Sequence, residues 1–179
     1  QSASTIPLLI GVDEEGGTVT RATRNPNLYP AKRKSPQQIF ASGGMNAIRQ
    51  DAYEVGGMLL SCGINVNFAP VADVSTDPAD FIFDRTIGAD AETTAIYVTY
   101  ALRGMNECSV QYSTETHMRK LGSVLKHFPG YGSNADTHTG IAVDERPYET
   151  FVGSDFLPFT AGIEAGADSV LVSHNIVTC

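Results

Sequence analysis

Short apolar runs that stop at acidic or basic residues recur along the chain, separated by stretches whose apolar positions repeat at helical spacing. Residues 7–12 (PLLIGV) are the first such run and end at Asp13, Glu14, Glu15, Gly16 and Gly17. A continuous apolar run closed by acids and glycines predicts a buried parallel strand with a loop at its carboxyl end. Residues 24–44, rich in Pro, Gly, Ser, Asn and basic side chains, predict an irregular connection. From Asn46 to Cys62, Ile48, Ala52, Val55, Leu59 and Leu60 recur as on one face of a helix, and Gly63 stands where its C-cap belongs. Residues 65–73 predict a second strand that ends at Asp73, followed by a polar loop over 74–90 that contains Arg85. Ile96, Tyr97, Tyr100, Ala101 and Met105 predict a helix over 93–107, whereas 109–120 is polar and fits no period; His117, within it, receives no role. A third strand is predicted over 123–128, a loop over 129–144, a helix over 156–167 and a fourth strand over 169–174.

This strand–loop–helix alternation, four times over, predicts a parallel sheet covered by helices. In such folds reactive groups collect at the carboxyl ends of strands. Those ends hold Asp13, Asp73, Lys126 with His127, and His174. The pattern alone serves a closed barrel and an open sheet equally. No glycine-rich phosphate loop of nucleotide-binding type is present.

Composition narrows the classes. With 179 residues, 42% hydrophobic and 18% charged, the chain fits one globular domain. A formal net charge of -8 argues against nucleic acid and against an anionic membrane surface as partners. Lys32, Arg33 and Lys34, the longest basic cluster, read as a solvated loop. No apolar run approaches the roughly 18 residues of a membrane span. Cys62, Cys108 and Cys179 show no CxxC spacing and predict free or buried thiols rather than a disulfide framework.

The chemistry concentrates in residues 126–138, KHFPGYGSNADTH. A lysine, two histidines and an aspartate gather there around Pro129, Gly130 and Gly132. Asp136 and His138 are two positions apart, so on a turn they can share a hydrogen bond. A carboxylate beside an imidazole fixes its tautomer and raises its basicity, which suits proton transfer near neutral pH. The competing reading is an Asx turn, with Asp136 accepting backbone N–H bonds. His127, Asp136, His138 and Asp13 could also assemble as zinc ligands, although no HExxH or paired-cysteine element accompanies them.

This stretch resembles the KHFPG-(H/Y)-G followed by D-(S/T)-H of bacterial β-N-acetylhexosaminidases of glycoside hydrolase family 3. GVDEEGGTVTR (11–21) is similar to the family's VDQEGG-x-V-x-R, NVNFAPVADV (65–74) to its third strand, and FDRTIG (83–88) to its G-x-R-S-F-G loop. DFLPFTAGIEAGADSVLVSHNIV (155–177) resembles the helix and strand that follow the catalytic loop. The resemblance implies an α/β fold of (β/α)8-barrel type, of which the single partial domain 1–179 covers strands two to five. It implies a retaining glycosidase that removes β-linked N-acetylglucosamine from a carbohydrate substrate, with no cofactor and no metal. His138 would be the acid/base and Asp136 its orienter; Asp13, Arg85, Lys126, His127 and, less closely matched, His174 would bind the sugar. Glu14 stands where the family often has glutamine and Tyr131 where many members have histidine. Glu15 reads as a structural turn residue, and Arg85, were it structural, would pair with Asp84 or Asp90 at the surface. The family's nucleophile, an aspartate in a segment resembling G-(F/Y)-x-G-V-(I/V)-x-(S/T)-D-(D/S), has no counterpart in the 179 residues, so the chain alone is expected not to turn over. A non-catalytic sugar-binding protein and an N-acetylglucosaminide phosphorylase are the other readings that the resemblance leaves open. Its end strands, 7–12 and 169–174, would present open edges, which predicts that a second copy or further barrel segments cover them.

Overall fold

The computed structural model describes residues 6, 8–114 and 120–179. Among them are six strands, β1 (Gly11–Val12), β2 (Val66–Asn67), β3 (Gly122–Phe128), β4 (Val143–Asp144), β5 (Ser169–Val172) and β6 (Ile176–Val177). The helices are α1 (Pro36–Ser61), α2 (Ala91–Tyr112), the single turn α3 (Tyr148–Thr150) and α4 (Phe156–Glu164). A π turn, Phe151–Asp155, joins α3 to α4. The main sheet has the order β1-β2-β3-β5 with every neighbouring pair parallel, and β4 and β6 form a separate parallel pair. A doubly wound sheet reverses its strand order at a switch point. Here each strand of the main sheet lies beside its predecessor with a helical crossover between, which is the order of consecutive units of a (β/α)8 barrel.

The core lies where the helices meet the sheet. Ile48, Val55 and Leu59 of α1 pack with Val98, Leu102 and Met105 of α2, with Leu125 of β3 and with Phe159 of α4. Gly104 permits the α1–α2 contact: a Cβ there would stand 2.2 Å from the carbonyl oxygen of Arg49. Truncating a fully buried leucine such as Leu102 or Leu59 would cost about 3 kcal/mol.

Several local expectations change. The 24–44 stretch is not irregular throughout, because α1 begins at Pro36. Ser35 caps it by accepting from the amide of Gln38, whose side chain accepts in turn from the Ser35 amide. The helical pattern was interrupted by Gly43 and Gly44, where the backbone leaves helical geometry; Gly44, at φ 65°, takes a conformation that favours glycine. The run at 7–12 is not buried. Pro7 lies outside the described residues, and Leu8, Leu9 and Ile10 are exposed because β1 has one neighbour and a bare edge. The basic cluster is only partly solvated: Lys32 and Lys34 are exposed, but Arg33 is buried, bonded to Asp51 at 2.6 Å and donating to the Glu14 carbonyl. Burial alone would depress the Arg33 pKa, and Asp51 more than offsets it, so the guanidinium is held charged. All three cysteines are free, with Cys108 buried and its thiol pushed up to about 11 by desolvation. Among the described residues no helix is long and apolar enough to cross a membrane.

Candidate active site

Each strand of the main sheet delivers charge at its carboxyl end. Beyond β1 the chain turns through Asp13, Glu14 and Glu15, and Asn67 of β2 holds that turn, its side chain accepting from the Glu14 amide at 3.0 Å and donating to the Glu14 carbonyl at 3.2 Å. The Glu14 carboxylate is buried and engaged by residues 21–23. It accepts from the amides of Arg21, Ala22 and Thr23 and from the Thr23 hydroxyl, which organises the following turn. A buried carboxylate with four donors is structurally satisfied, consistent with a position that tolerates glutamine.

Glu15, by contrast, is central. It takes a two-pronged ion pair from Arg85, at 2.9 and 2.8 Å, and a contact from Lys126 Nζ at 2.5 Å. Lys126 also reaches Asp13 at 2.7 Å. Arg85 comes from a 3₁₀ turn, Phe83–Arg85, tied to α1 by Gln37, which donates to the Phe83 carbonyl at 2.8 Å. Neither Asp84 nor Asp90 is its partner. Asp73, fully buried at the end of the second strand segment, accepts from the amide and Nδ1 of His127, at 3.1 and 2.8 Å, and from the Tyr131 amide at 2.7 Å. With Nδ1–H committed to Asp73, His127 Nε2 faces the Arg85 guanidinium, 3.1 Å away, as an acceptor. Three carboxylates (Asp13, Glu15, Asp73) thus meet two cations (Lys126, Arg85) around the His127 imidazole. The pKa of Arg85 is raised, because Glu15 outweighs the desolvation that acts on it. The β3–β5 register shifts between Lys126 and Phe128, and at this irregularity the consecutive side chains of Lys126 and His127 both reach one cavity instead of opposite faces.

That cavity, about 340 Å³, is lined by Asp13, Glu15, Arg85, Lys126, His127 and His174 together with His138 from the 129–144 loop. Six of the seven predicted site residues therefore line one cavity. The seventh, Asp136, stands behind His138 and bonds its Nδ1 at 2.8 Å and its amide at 2.9 Å through the same oxygen. The Asx turn and the Asp136–His138 side-chain pair coexist, since one carboxylate oxygen closes the turn and bonds the ring. The amide and ring bonds from His138 hold the Asp136 carboxyl below the usual carboxylate range. His174, beyond β5, lines the cavity and is exposed. His127, Asp136, His138 and Asp13 do not gather as ligands: among the described residues no three His, Cys, Asp or Glu side chains are placed to hold a metal ion. His117 lies outside the described residues.

The sequence pattern placed Asp73 at a strand end without giving it a role, and it missed Glu15 and Tyr131 as members of the site. Their signal was indirect. Two cations placed at strand ends inside a fold require buried anions beside them, and Glu15 was the nearest acid in the first motif.

The loop itself is anchored by Arg146. Its guanidinium makes two bonds to Asp155, three to Asp144 and one to the Gly130 carbonyl, joining the two ends of the loop to the π turn. The pair β4–β6 holds the end of the loop against the segment that follows His174.

Comparison with known proteins agrees with this geometry. Residues 1–179 match the family model for the glycosyl hydrolase family 3 N terminal domain. A β-hexosaminidase of Xylella fastidiosa (strain M12) is 32% identical over 182 residues, covering 97% of this chain and 49% of the relative. One from Xanthomonas campestris pv. campestris (strain B100) is 32% identical over 178 residues, covering 97% and 50%. The chain spans about half the length of the curated relatives it matches. Among solved structures, a β-N-acetylhexosaminidase from Beutenbergia cavernae DSM 12333 is 31% identical with a TM-score of 0.78, covering 96% of this chain and 48% of that one. A family 3 β-N-acetylglucosaminidase from Paenibacillus sp. str. FPU-7 superimposes with a TM-score of 0.81 at 28% identity, covering 96% and 30%. With the family match running over all 179 residues, and the strand ends converging on one cavity, the chain belongs to the glycosyl hydrolase family 3 N-terminal domain family.

Proposed function

We propose that the protein is a retaining glycosidase that removes terminal β-linked N-acetylglucosamine, with His138 as acid/base and Asp136 as its orienter. The observation that carries this reading is the shared cavity: a strand-end cluster of fixed charges on one side and an imidazole, backed by a carboxylate, on the other. Among the described residues His138 Nε2 has no protein partner, which leaves it free for a substrate atom. In the first step His138 Nε2 gives its proton to the bridging oxygen as the C1–O bond breaks, and a nucleophile closes on C1. In the second, water attacks C1, the bond from C1 to the nucleophile breaks, and His138 recovers a proton from the attacking water. Asp136 accepts Nδ1–H throughout and stabilises the imidazolium that donates in the first step and is restored by the second. The comparison relatives named as β-hexosaminidases and β-N-acetylglucosaminidases support the substrate class.

Asp13, whose carboxylate is bonded to Lys126 on one side and 44% exposed, is suited to accept from a sugar hydroxyl. Arg85, Lys126 and His127 supply charged and aligned partners around it, and such bonds are the stronger ones. His174 completes the rim. The nucleophile is expected from a segment outside these 179 residues, so the isolated chain should not hydrolyse an aryl N-acetyl-β-glucosaminide.

The test uses the whole protein. It should release the aryl group from an aryl N-acetyl-β-glucosaminide, and His138→Ala should lower kcat at least about 100-fold. Undiminished turnover in that variant removes the assignment. Running the assay with and without inorganic phosphate separates hydrolysis from phosphorolysis by the product, free sugar or sugar 1-phosphate.

A further inference from the structure

The turn that bears the dyad is poorly tied to the rest of the molecule. Residues 135–141 join neither helix nor strand, and His138, Thr139, Gly140 and Ile141 are all exposed. Most hydrogen bonds within the turn are internal: Thr139 donates to the Asp136 carbonyl from both its amide and its hydroxyl, and His138 bonds the Asp136 carboxylate. Among the described residues, the hydrogen bonds that connect this turn to anything outside it end on one atom, the Tyr131 hydroxyl. It accepts from the Thr137 amide at 2.9 Å and pairs with Thr137 Oγ1 at 2.7 Å. Thr137 is the residue between Asp136 and His138.

Tyr131 is itself held on every side. It is 2% exposed, and its amide donates to Asp73, the same carboxylate that fixes His127. Its ring lies with centroids 5.5 Å from Phe81 and 5.5 Å, edge-on, from His127. The phenol is therefore a rigid strut from the strand-end cluster to the centre of the dyad turn.

We propose that the Tyr131 hydroxyl is the positioning group for the Asp136–His138 dyad, fixing its distance from the sugar-binding wall. The inference rests on the acid/base reading above. Proximity arguments give it a magnitude, since displacement of a reacting group by about 1 Å can cost on the order of 100-fold. Tyr131→Phe keeps the ring and its packing and removes only the strut's end.

In the whole protein, Tyr131→Phe should lower kcat about 10- to 30-fold with KM changed less than about two-fold, because the sugar-binding wall is untouched. A thermal melt on the same sample establishes that the variant is folded. The double variant Tyr131→Phe with His138→Ala should be no slower than His138→Ala alone, since a strut for an absent imidazole has nothing to place. A tyrosine with a merely structural role would instead give losses that multiply. The proposal is overturned by a Tyr131→Phe kcat within about two-fold of the unsubstituted protein, or by multiplicative losses in the double variant. If His138→Ala itself is fully active, the acid/base reading fails rather than the strut.

Discussion

Two carboxylate–imidazole pairs lie on the same cavity with the same Nδ1 to carboxylate oxygen separation, 2.8 Å, in Asp73–His127 and in Asp136–His138. Their surroundings differ. The first is buried, with His127 12% and Asp73 0% exposed, and the far nitrogen of its ring is occupied by Arg85. The second is open, with His138 76% and Asp136 26% exposed, and among the described residues the far nitrogen of its ring has no protein partner. An imidazole engaged at both nitrogens is a fixed binding element, whereas one engaged at a single nitrogen can pass a proton. Pair geometry alone does not separate the two histidines; the state of the second nitrogen does.

The comparison can be broken first at the open pair's carboxylate. Asp136→Asn leaves a side chain of the same shape that no longer fixes the ring tautomer, and kcat in the whole protein should fall about 10³-fold, or about 4 kcal/mol, with KM little changed. Steady-state kinetics check this, and Asp73→Asn should not reproduce a loss confined to kcat. The support of the open pair comes next. Arg146→Met strands Asp144 and Asp155, both buried, without a cation and should lower stability by about 3 kcal/mol in denaturant melts. Third, removing the closed pair's ring with His127→Ala should raise KM about 10-fold and change kcat far less, the mark of lost uniform binding.

The smallest effect is one of pH. Desolvation acts to raise the Asp144 carboxyl, but its bonds to Arg146 outweigh that and hold it below the usual range. A depressed carboxyl contributes fully above its unfolded value of about 4, and the contribution is lost as pH falls through its folded-state pKa. Asp155 shifts the other way, lifted by burial although Arg146 opposes the rise. Removing Arg146 raises both carboxyls, so acid should favour the variant relative to the unsubstituted protein. The gap in melting temperature between the two should therefore narrow as pH is lowered from about 5 towards 3.

The parts of this arrangement that were legible in the sequence share a cause. Asp13, Lys126, His127 and His174 follow apolar runs, so the change from strand to loop marked them, and Asp136 with His138 sat in a glycine- and proline-bounded loop. The same rule placed the sheet and its helices. What stayed hidden depends on contacts across the sequence. Glu15 looked like a turn residue because its partners, Arg85 and Lys126, lie 70 and 111 positions away. Arg33 read as solvated because Asp51 meets it only after α1 folds back beside the first loop. The start of α1 carried a legible signal, a Ser-Pro-Gln-Gln capping box, which the Gly43–Gly44 break masked by interrupting the period. The π turn at Phe151–Asp155 left no periodic trace, since its extra residue breaks the helical repeat just before α4; Asp155, at its end, pairs with Arg146.

The central claim is that of two similar pairs, the open one moves the proton. Its most direct test is the dependence of kcat/KM on leaving-group basicity, measured for His138→Ala and His127→Ala in the whole protein with a series of aryl N-acetyl-β-glucosaminides. The account predicts a dependence that steepens in His138→Ala, because poor leaving groups lose their proton donor, and a uniform loss across the series in His127→Ala. Steepening in His127→Ala with an unchanged slope in His138→Ala would contradict it.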